Sequence, residues 1–217
     1  MKYDLVIFDL DGTLLDTLDD LANAANRALT EAGYPARTRE EVRRFIGNGV
    51  AALIRQALPE AADDDAHARV LQRFKAIYMD AVNVKTHPYP GIIDMLALLR
   101  KKGIRAAVNS NKVDGAVQLL CNAHFGGLID LSLGERPSIP KKPDPEGARR
   151  IMRELGASPE RTLYVGDGEA DIMTARRAGI DCAWVSWGFR RAEELIGLDI
   201  PRAFDTVPAL TEYLLSE

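Results

Sequence analysis

The chain has 217 residues, of which 47% are hydrophobic and 28% are charged, and its formal net charge is −4. These proportions are typical of a globular protein with a sizeable buried core and exclude a disordered or fibrous chain. The net negative charge argues against a nucleic-acid scaffold, because affinity for phosphate backbones depends on clustered lysine and arginine.

The cysteines and the apolar segments bear on where the protein acts. Cys121 and Cys182 form neither a C-x-x-C pair nor a disulfide framework, which favours a reducing cytoplasm. The sequence has no signal-peptide pattern near its N-terminus and no apolar run of membrane-spanning length. We therefore expect a cytoplasmic protein, a monomer or homodimer, without membrane or nucleic-acid partners.

The first predicted element is a strand at residues 5–8, LVIF. A short continuous apolar run that ends in an acid suits a strand buried on both faces of a parallel sheet. Helical patterns follow, with no convincing strand between them. The first covers residues 18–32, and the second opens with the capping-box pattern Thr38–Glu41. Two more cover residues 50–58 and 66–82. The pattern therefore predicts a helical insertion at residues 15–84.

Helices and strands alternate after the turn-rich segment HPYPG at residues 87–91. Repeated units of this length indicate a parallel sheet whose faces are covered by helices. The predicted helices are 92–102, 114–124, 146–155 and 170–178, and the strands are 104–109, 128–133, 162–166 and 182–186. We predict an α/β protein with a doubly wound parallel-sheet core, residues 1–14 and 85–217, interrupted by the helical insertion.

Polar side chains stand directly after three predicted strands, at the sheet edge where ligands bind in such folds. They are Asp9 and Asp11 after the first strand, Ser110, Asn111 and Lys112 after AAVN, and Asp167 and Asp171 after LYVG. Lys142 lies in the proline-fixed loop KKPDP. Any one of these residues alone is explained as well by a turn or a helix cap, but their coincidence at one edge favours a site.

Electrostatics explains why these acids would need a metal ion and a lysine beside them. Several carboxylates in one crevice repel, and oxygen ligands of this kind suit a hard cation such as Mg²⁺. A carboxylate and a phosphate dianion about 4 Å apart repel by roughly 8 kcal/mol at an effective dielectric of about 20. Mg²⁺ and the Lys142 ammonium would offset this repulsion, and Ser110 could hold phosphate oxygens.

Four motifs resemble, in order and spacing, those of the haloacid dehalogenase superfamily. They are DLDGTL from Asp9 to Leu14, a strand ending in Ser110 with Asn111-Lys112, the pair Lys142-Pro143, and GDGEAD from Gly166 to Asp171. The resemblance implies a Rossmann-like core, with residues 15–84 as a small α-helical cap. Within the cap, RRFIGNGVAALIRQAL is similar to the Gly-x-Gly segment of phosphoglycolate phosphatases.

The resemblance also implies roles for the acids. Asp9 would be the nucleophile that forms an aspartyl-phosphate, and Asp11 would be the general acid and base. The Asp11 carbonyl and the carboxylates of Asp9 and Asp167 would bind Mg²⁺, while Asp171 would bind the ion or orient its shell.

The remaining implied roles concern the phosphoryl group and the leaving group. Ser110 and Lys142 would hold the transferring phosphoryl group, and Gly12 would allow a sharp turn beside it. Residues predicted to contact the substrate are Gly12, Asn111 and, facing inward from the cap, Gly47, Asn48, Gly49 and Arg55. The implied substrate is a small phosphorylated metabolite, with 2-phosphoglycolate as the leading candidate.

Several alternatives stay open at this point. A phosphosugar mutase of the β-phosphoglucomutase kind, or a pyrophosphatase, shares the core and differs in the cap. A dehalogenase has no use for an acid at Asp11, which counts against it. A phospho-accepting signalling domain also combines acids and a lysine on a parallel sheet, but such domains are much shorter. The roles of Lys112 and Glu169 stay open.

Overall fold

In the computed structural model, residues 2–200 and 202–216 are described. Three residues of the predicted core segments, Met1, Pro201 and Glu217, therefore lie outside the described residues. The strands of the described chain are β1 (Leu5–Phe8), β2 (Leu15–Asp16), β3 (His87–Pro88), β4 (Arg105–Val113), β5 (Leu131–Glu135), β6 (Thr162–Gly166), β7 (Asp181–Val185) and β8 (Arg202–Phe204). The helices are α1 (Leu18–Glu31), α2 (Arg39–Phe45), α3 (Val50–Ala57), α4 (Asp64–Asp80), α5 (Ile92–Lys101), α6 (Asp114–Phe125), α7 (Glu146–Leu155), α8 (Glu169–Ala178) and α9 (Val207–Leu215).

A six-stranded parallel sheet forms the centre, in the order β5-β4-β1-β6-β7-β8. All four residues of β1 are fully buried, because β4 and β6 flank the strand and other layers cover both faces. The predicted fold class, an α/β protein with a doubly wound parallel sheet, is confirmed. The sequence analysis missed β8 and the two-residue antiparallel pair β2–β3, which are too short to show a periodic pattern.

Helices α1 to α4 follow one another between β2 and β3. The capping box is present, since the Glu41 amide donates to Thr38 Oγ1 and the Thr38 amide donates to Glu41 Oε2. Helix α4 begins two residues before the predicted start because the Asp63 carboxylate accepts from the Ala66 amide. Among the described residues, no helix combines the length and the apolar character needed to cross a membrane. We call α1 to α4 and their connections the cap, and its boundaries at residues 15 and 84 stay a prediction.

A buried carboxylate ties the cap to the core where the chain returns from α4. Asp20 in α1 accepts hydrogen bonds from the backbone amides of Val84, Lys85 and Thr86 at 2.8–3.1 Å, and from the Thr86 hydroxyl at 2.8 Å. A single side chain therefore satisfies three consecutive buried or half-buried amides just before β3.

Replacing Asp20 with Asn should lower the free energy of unfolding by about 2 kcal/mol, because an amide group cannot accept all of these hydrogen bonds. Urea denaturation followed by circular dichroism measures the change. Asp19→Asn is the matched control, since Asp19 forms an exposed ion pair with Arg39 that contributes little. Equal losses in the two variants would contradict the role assigned to Asp20.

Candidate active site

The candidate site lies where β1, β4 and β6 end beneath the cap loop. A cavity there is lined from the core by Asp9, Asp11, Ser110, Asn111, Asp167 and Asp171, and from the cap by Gly47, Asn48 and Gly49. Strand β4 runs further than predicted and carries Ser110 to Lys112 through a shift in its register with β5. Such irregularities re-aim side chains at a sheet edge. Ser110 is buried there, and its hydroxyl accepts from the Lys112 amide at 3.2 Å.

Three of the predicted acids form one buried cluster. Asp9, Asp167 and Asp171 each offer a carboxylate oxygen, and these atoms lie within 4.8 Å of one another. Burial raises the pKa of Asp9 well above its usual range, although the Lys142 charge opposes the shift. Burial, together with the Asp171 charge, raises the pKa of Asp167 to about 6. A set of close, buried oxygen ligands with this much repulsion fits a hard divalent cation such as Mg²⁺.

Lys142 supplies positive charge within the acid cluster. Its Nζ lies 2.8 Å from Asp9 Oδ1 and 2.7 Å from Asp171 Oδ1, and its side chain is almost fully buried. Burial disfavours the ammonium, but the charges of Asp171 and Asp9 outweigh it and raise the pKa of Lys142. Lys142 therefore stays charged and holds the Asp9 carboxylate in a fixed orientation.

Asn111 fixes the loop that carries Lys142. Its Oδ1 accepts from the Lys142 amide at 2.8 Å, and its Nδ2 donates to the Lys142 carbonyl at 3.1 Å. The same Nδ2 donates to the carbonyl of Gly47 in the cap at 3.1 Å. The side chain predicted to contact substrate thus lines the cavity while it connects the Lys142 loop to the cap.

Asp11 has its own partners on the other side of Asp9. Its Oδ1 accepts from the Thr17 hydroxyl at 2.7 Å and from Lys112 Nζ at 2.8 Å. Lys112 is buried at the end of β4, and its ammonium lies 4.8 Å from the centre of the Tyr78 ring. Both contacts engage Oδ1, so they fix the orientation of the Asp11 carboxylate and leave Oδ2 free of these two donors.

Strand β7 and the loop after it orient Asp167, a role that the sequence did not predict. The Phe189 amide donates to Asp167 Oδ2 at 2.6 Å, and the Trp184 indole donates to the Asp167 carbonyl at 2.8 Å. A Cβ at Gly188 would overlap Asp167 and the Gly12 carbonyl, and one at Gly12, where φ is 83°, would lie 2.6 Å from Asp167 Oδ2. Two glycines therefore make room for this carboxylate. In the sequence, the signal that could have indicated this contact was Gly188 between two aromatic residues in SWGF.

The haloacid dehalogenase-like hydrolase family model matches residues 6–185. The chain belongs to this family. A phosphoglycolate phosphatase from Pseudomonas putida is 36% identical over 196 residues, covering 88% of this chain and 72% of its own. A phosphoglycolate phosphatase from Aquifex aeolicus is 33% identical and covers 97% of this chain and 98% of its own.

Solved structures agree with these relatives. A crystal structure from Lactobacillus delbrueckii subsp. bulgaricus, named provisionally as a phosphoglycolate phosphatase, superposes with a TM-score of 0.94 at 37% identity and covers both chains completely. CbbY from Rhodobacter sphaeroides, in complex with phosphate, superposes with a TM-score of 0.73 at 28% identity and covers 94% of each chain. The family and these relatives support a phosphatase enzyme.

The hydrolase also has a group of contacts between cap and core that the motifs do not contain. Arg190, in the loop after β7, donates to the cap carbonyls of Ile46 at 2.5 Å and Arg43 at 3.2 Å. The buried Arg43 guanidinium lies 2.6 Å from Glu194 in the core and 2.9 Å from Glu40 in the cap. These contacts, which we call the clasp, hold the loop of Gly47 over the acid cluster.

Two further residues lie outside the centre of this hydrolase's cavity. The structure does not bring Arg55 inward as predicted, because its guanidinium lies 2.5 Å from Asp64 Oδ1 on the cap surface. The inward face of α3 is taken by apolar residues, Val50, Leu53, Ile54 and Ala57. Glu169 is exposed at the cavity rim.

Replacing Glu194 with Gln should lower the free energy of unfolding by about 1 kcal/mol at pH 7, a modest value because the ion pair is partly exposed. The hydrogen bond from Arg43 lowers the pKa of Glu194 to about 2. A depressed pKa gives stability that is complete above the unfolded value of about 4.3 and is lost as the pH falls toward 2. Urea titrations at pH 7, 5 and 3 should therefore show the wild type and the variant converging. A constant difference, or an equal effect of Glu193→Gln at the exposed neighbour, would contradict this role.

Proposed function

We propose that this hydrolase is a Mg²⁺-dependent phosphomonoesterase that acts on a small phosphorylated metabolite, 2-phosphoglycolate, through an aspartyl-phosphate intermediate. The observation that carries the proposal is the buried cluster of Asp9, Asp167 and Asp171 with the Lys142 ammonium 2.8 Å from Asp9. The relatives named phosphoglycolate phosphatases, which match most of the chain, support the substrate. The related CbbY structure in complex with phosphate supports a phosphorylated ligand.

In the first half-reaction, a carboxylate oxygen of Asp9 bonds to phosphorus while the bond from phosphorus to the alcohol oxygen breaks. Lys142 favours the ionised form of Asp9 against the effect of burial and aligns its carboxylate. Ser110 and Lys142 hold phosphoryl oxygens. The Asp11 carbonyl and the carboxylates of Asp9, Asp167 and Asp171 would hold or orient Mg²⁺. When bound, the ion would supply positive charge to offset the charge that develops on the phosphoryl oxygens.

Asp11 moves the protons. In the first half-reaction it donates a proton to the departing alcohol oxygen, so that the alcohol leaves neutral. In the second it accepts a proton from the water that attacks the aspartyl-phosphate, which returns Asp9 and releases phosphate. The contacts of Thr17 and Lys112 with Oδ1 favour Oδ2 as the oxygen that carries this proton.

The cap loop of Gly47, Asn48 and Gly49 excludes water from the aspartyl-phosphate and meets the leaving group. The clasp and Asn111 hold that loop against the core. We further propose that the protein is cytoplasmic, where the free thiols of Cys121 and Cys182 are stable, and that it acts as a monomer or homodimer.

Replacing Asp9 with Asn should lower kcat by about a thousandfold or more, because an amide is a poor nucleophile toward phosphorus. Rapid-quench labelling with ³²P-substrate should show phosphoenzyme in the wild type and none in the variant. Asp4→Asn is the matched control, since Asp4 directly precedes the opposite end of β1. Retained hydrolysis in the Asp9 variant would overturn the nucleophile assignment.

The experiment that tests the function compares kcat/KM for 2-phosphoglycolate, sugar phosphates, pyrophosphate and nucleotides. EDTA should stop hydrolysis, added Mg²⁺ should restore it, and 2-phosphoglycolate should be the preferred substrate. Rearrangement of a phosphosugar without phosphate release would support a mutase instead, and a preference for pyrophosphate would support a pyrophosphatase. A phosphorylated protein that persists for hours would support a signalling domain.

A further inference from the structure

The site has two buried lysines, and Lys112, which lines the cavity, is the one that does not contact Asp9 or Asp171. Lys142 contacts both of these acids. Lys112 contacts Asp11 instead, at 2.8 Å, and only 2% of its side chain is exposed. A buried ammonium is costly unless opposite charge and hydrogen bonds compensate it, so its position at the acid/base residue calls for a partner.

The hydrogen bonds around Lys112 are incomplete in the described part of the chain. The ammonium has three N–H donors, and Asp11 Oδ1 takes one of them. The ring of Tyr78 lies 4.8 Å away and compensates part of the charge. The Tyr78 hydroxyl can accept a second of these donors. One N–H of Lys112 is then left for an anion at this end of the cavity.

The position of Lys112 relative to Asp11 fixes which part of a substrate it can reach. Asp11 must come within about 3 Å of the ester oxygen to protonate it. In an ester of an α-hydroxy acid, two carbons separate the ester oxygen from a carboxylate oxygen, a span of about 3 Å. Lys112 Nζ lies 2.8 Å from Asp11 Oδ1. A leaving group whose ester oxygen contacts Asp11 could therefore extend a carboxylate to within hydrogen-bond distance of the ammonium.

We infer that Lys112 binds the carboxylate of the leaving group and thereby selects phosphate esters of α-hydroxy acids over esters of neutral alcohols. This inference rests on the proposed function of the same site. Arg190 also lines the cavity, but its guanidinium donates to the carbonyls of Arg43 and Ile46. Among the described residues, Lys112 is therefore the cavity cation that contacts Asp11 and keeps an N–H donor for a substrate.

The test compares two nearly isosteric esters, 2-phosphoglycolate and its uncharged amide, 2-phosphoglycolamide. Lys112→Met should reduce the ratio of their kcat/KM values by about 30-fold or more, the range of a charge-assisted hydrogen bond. Any effect of the substitution on Asp11 lowers both rates together and cancels in the ratio. Lys112→Arg, which keeps the charge, should recover most of the ratio. Lys75→Met, which removes an exposed lysine from the same helix as Tyr78, should leave the ratio unchanged.

A second measurement does not depend on turnover of either ester. Both compounds are used as competitive inhibitors of para-nitrophenyl phosphate hydrolysis, and the ratio of their inhibition constants should collapse in Lys112→Met. A ratio equal to that of the wild type in both measurements would overturn the inference and leave the phosphatase intact. If the ratio of inhibition constants collapsed in Arg190→Met and not in Lys112→Met, the inference would also be overturned, and Arg190 would be the residue that binds the carboxylate. Absence of hydrolysis of every ester by the wild type would overturn the proposed function itself.

Discussion

The concentration of negative charge at the end of β1 is the constraint on which the rest of the site depends. Three buried carboxylates each offer an oxygen within 4.8 Å of the other two. Donors from three loops hold them. Lys142 contacts both Asp9 and Asp171. The Phe189 amide donates to Asp167, and the Gly168 amide donates to Asp171 at 3.1 Å. The loops after β5, β6 and β7 therefore exist in their particular conformations because each supplies a donor to this cluster.

The strand order explains how such distant segments meet. Strand β1 lies between β4 and β6, and the chain winds away from it in both directions, which opens a crevice at the carboxyl ends of these strands. A cap inserted directly after β1 emerges over that crevice. Asp20 and the clasp then fix the cap at two separate points, one where the chain returns to the core and one above the acids. The path of the chain thus places the cap residues proposed to select a substrate above those that would perform the chemistry.

The motif acids and Ser110 could be predicted because they follow apolar strands, and the strand-end rule brings such positions together without any knowledge of loops. Lys142 was predicted from its proline-fixed loop instead. The rule did not single out Gly188, Phe189 and Arg190, since their loop follows β7, two strands away from β1, and reaches Asp167 only through its three-dimensional path. The prediction that Arg55 faces the cavity was wrong for a different reason. On a helix as short as α3, the inward face is decided by the apolar residues that pack, and Arg55 falls on the other side. Lys112 was ambiguous because the end of β4 extends past the point where its apolar pattern stops.

The two buried lysines also suggest how a small substrate with two anionic ends is oriented. Lys142 is engaged by two carboxylates, whereas Lys112 shares a single carboxylate with Thr17. In the proposed mechanism Asp11 carries the proton for the leaving group, and its charge then no longer compensates Lys112. A carboxylate on the substrate would replace that charge and stabilise the complex when the acid is needed. An ester without a carboxylate leaves the ammonium buried and uncompensated, so discrimination arises from the cost of that unpaired charge as much as from the attraction of the correct substrate.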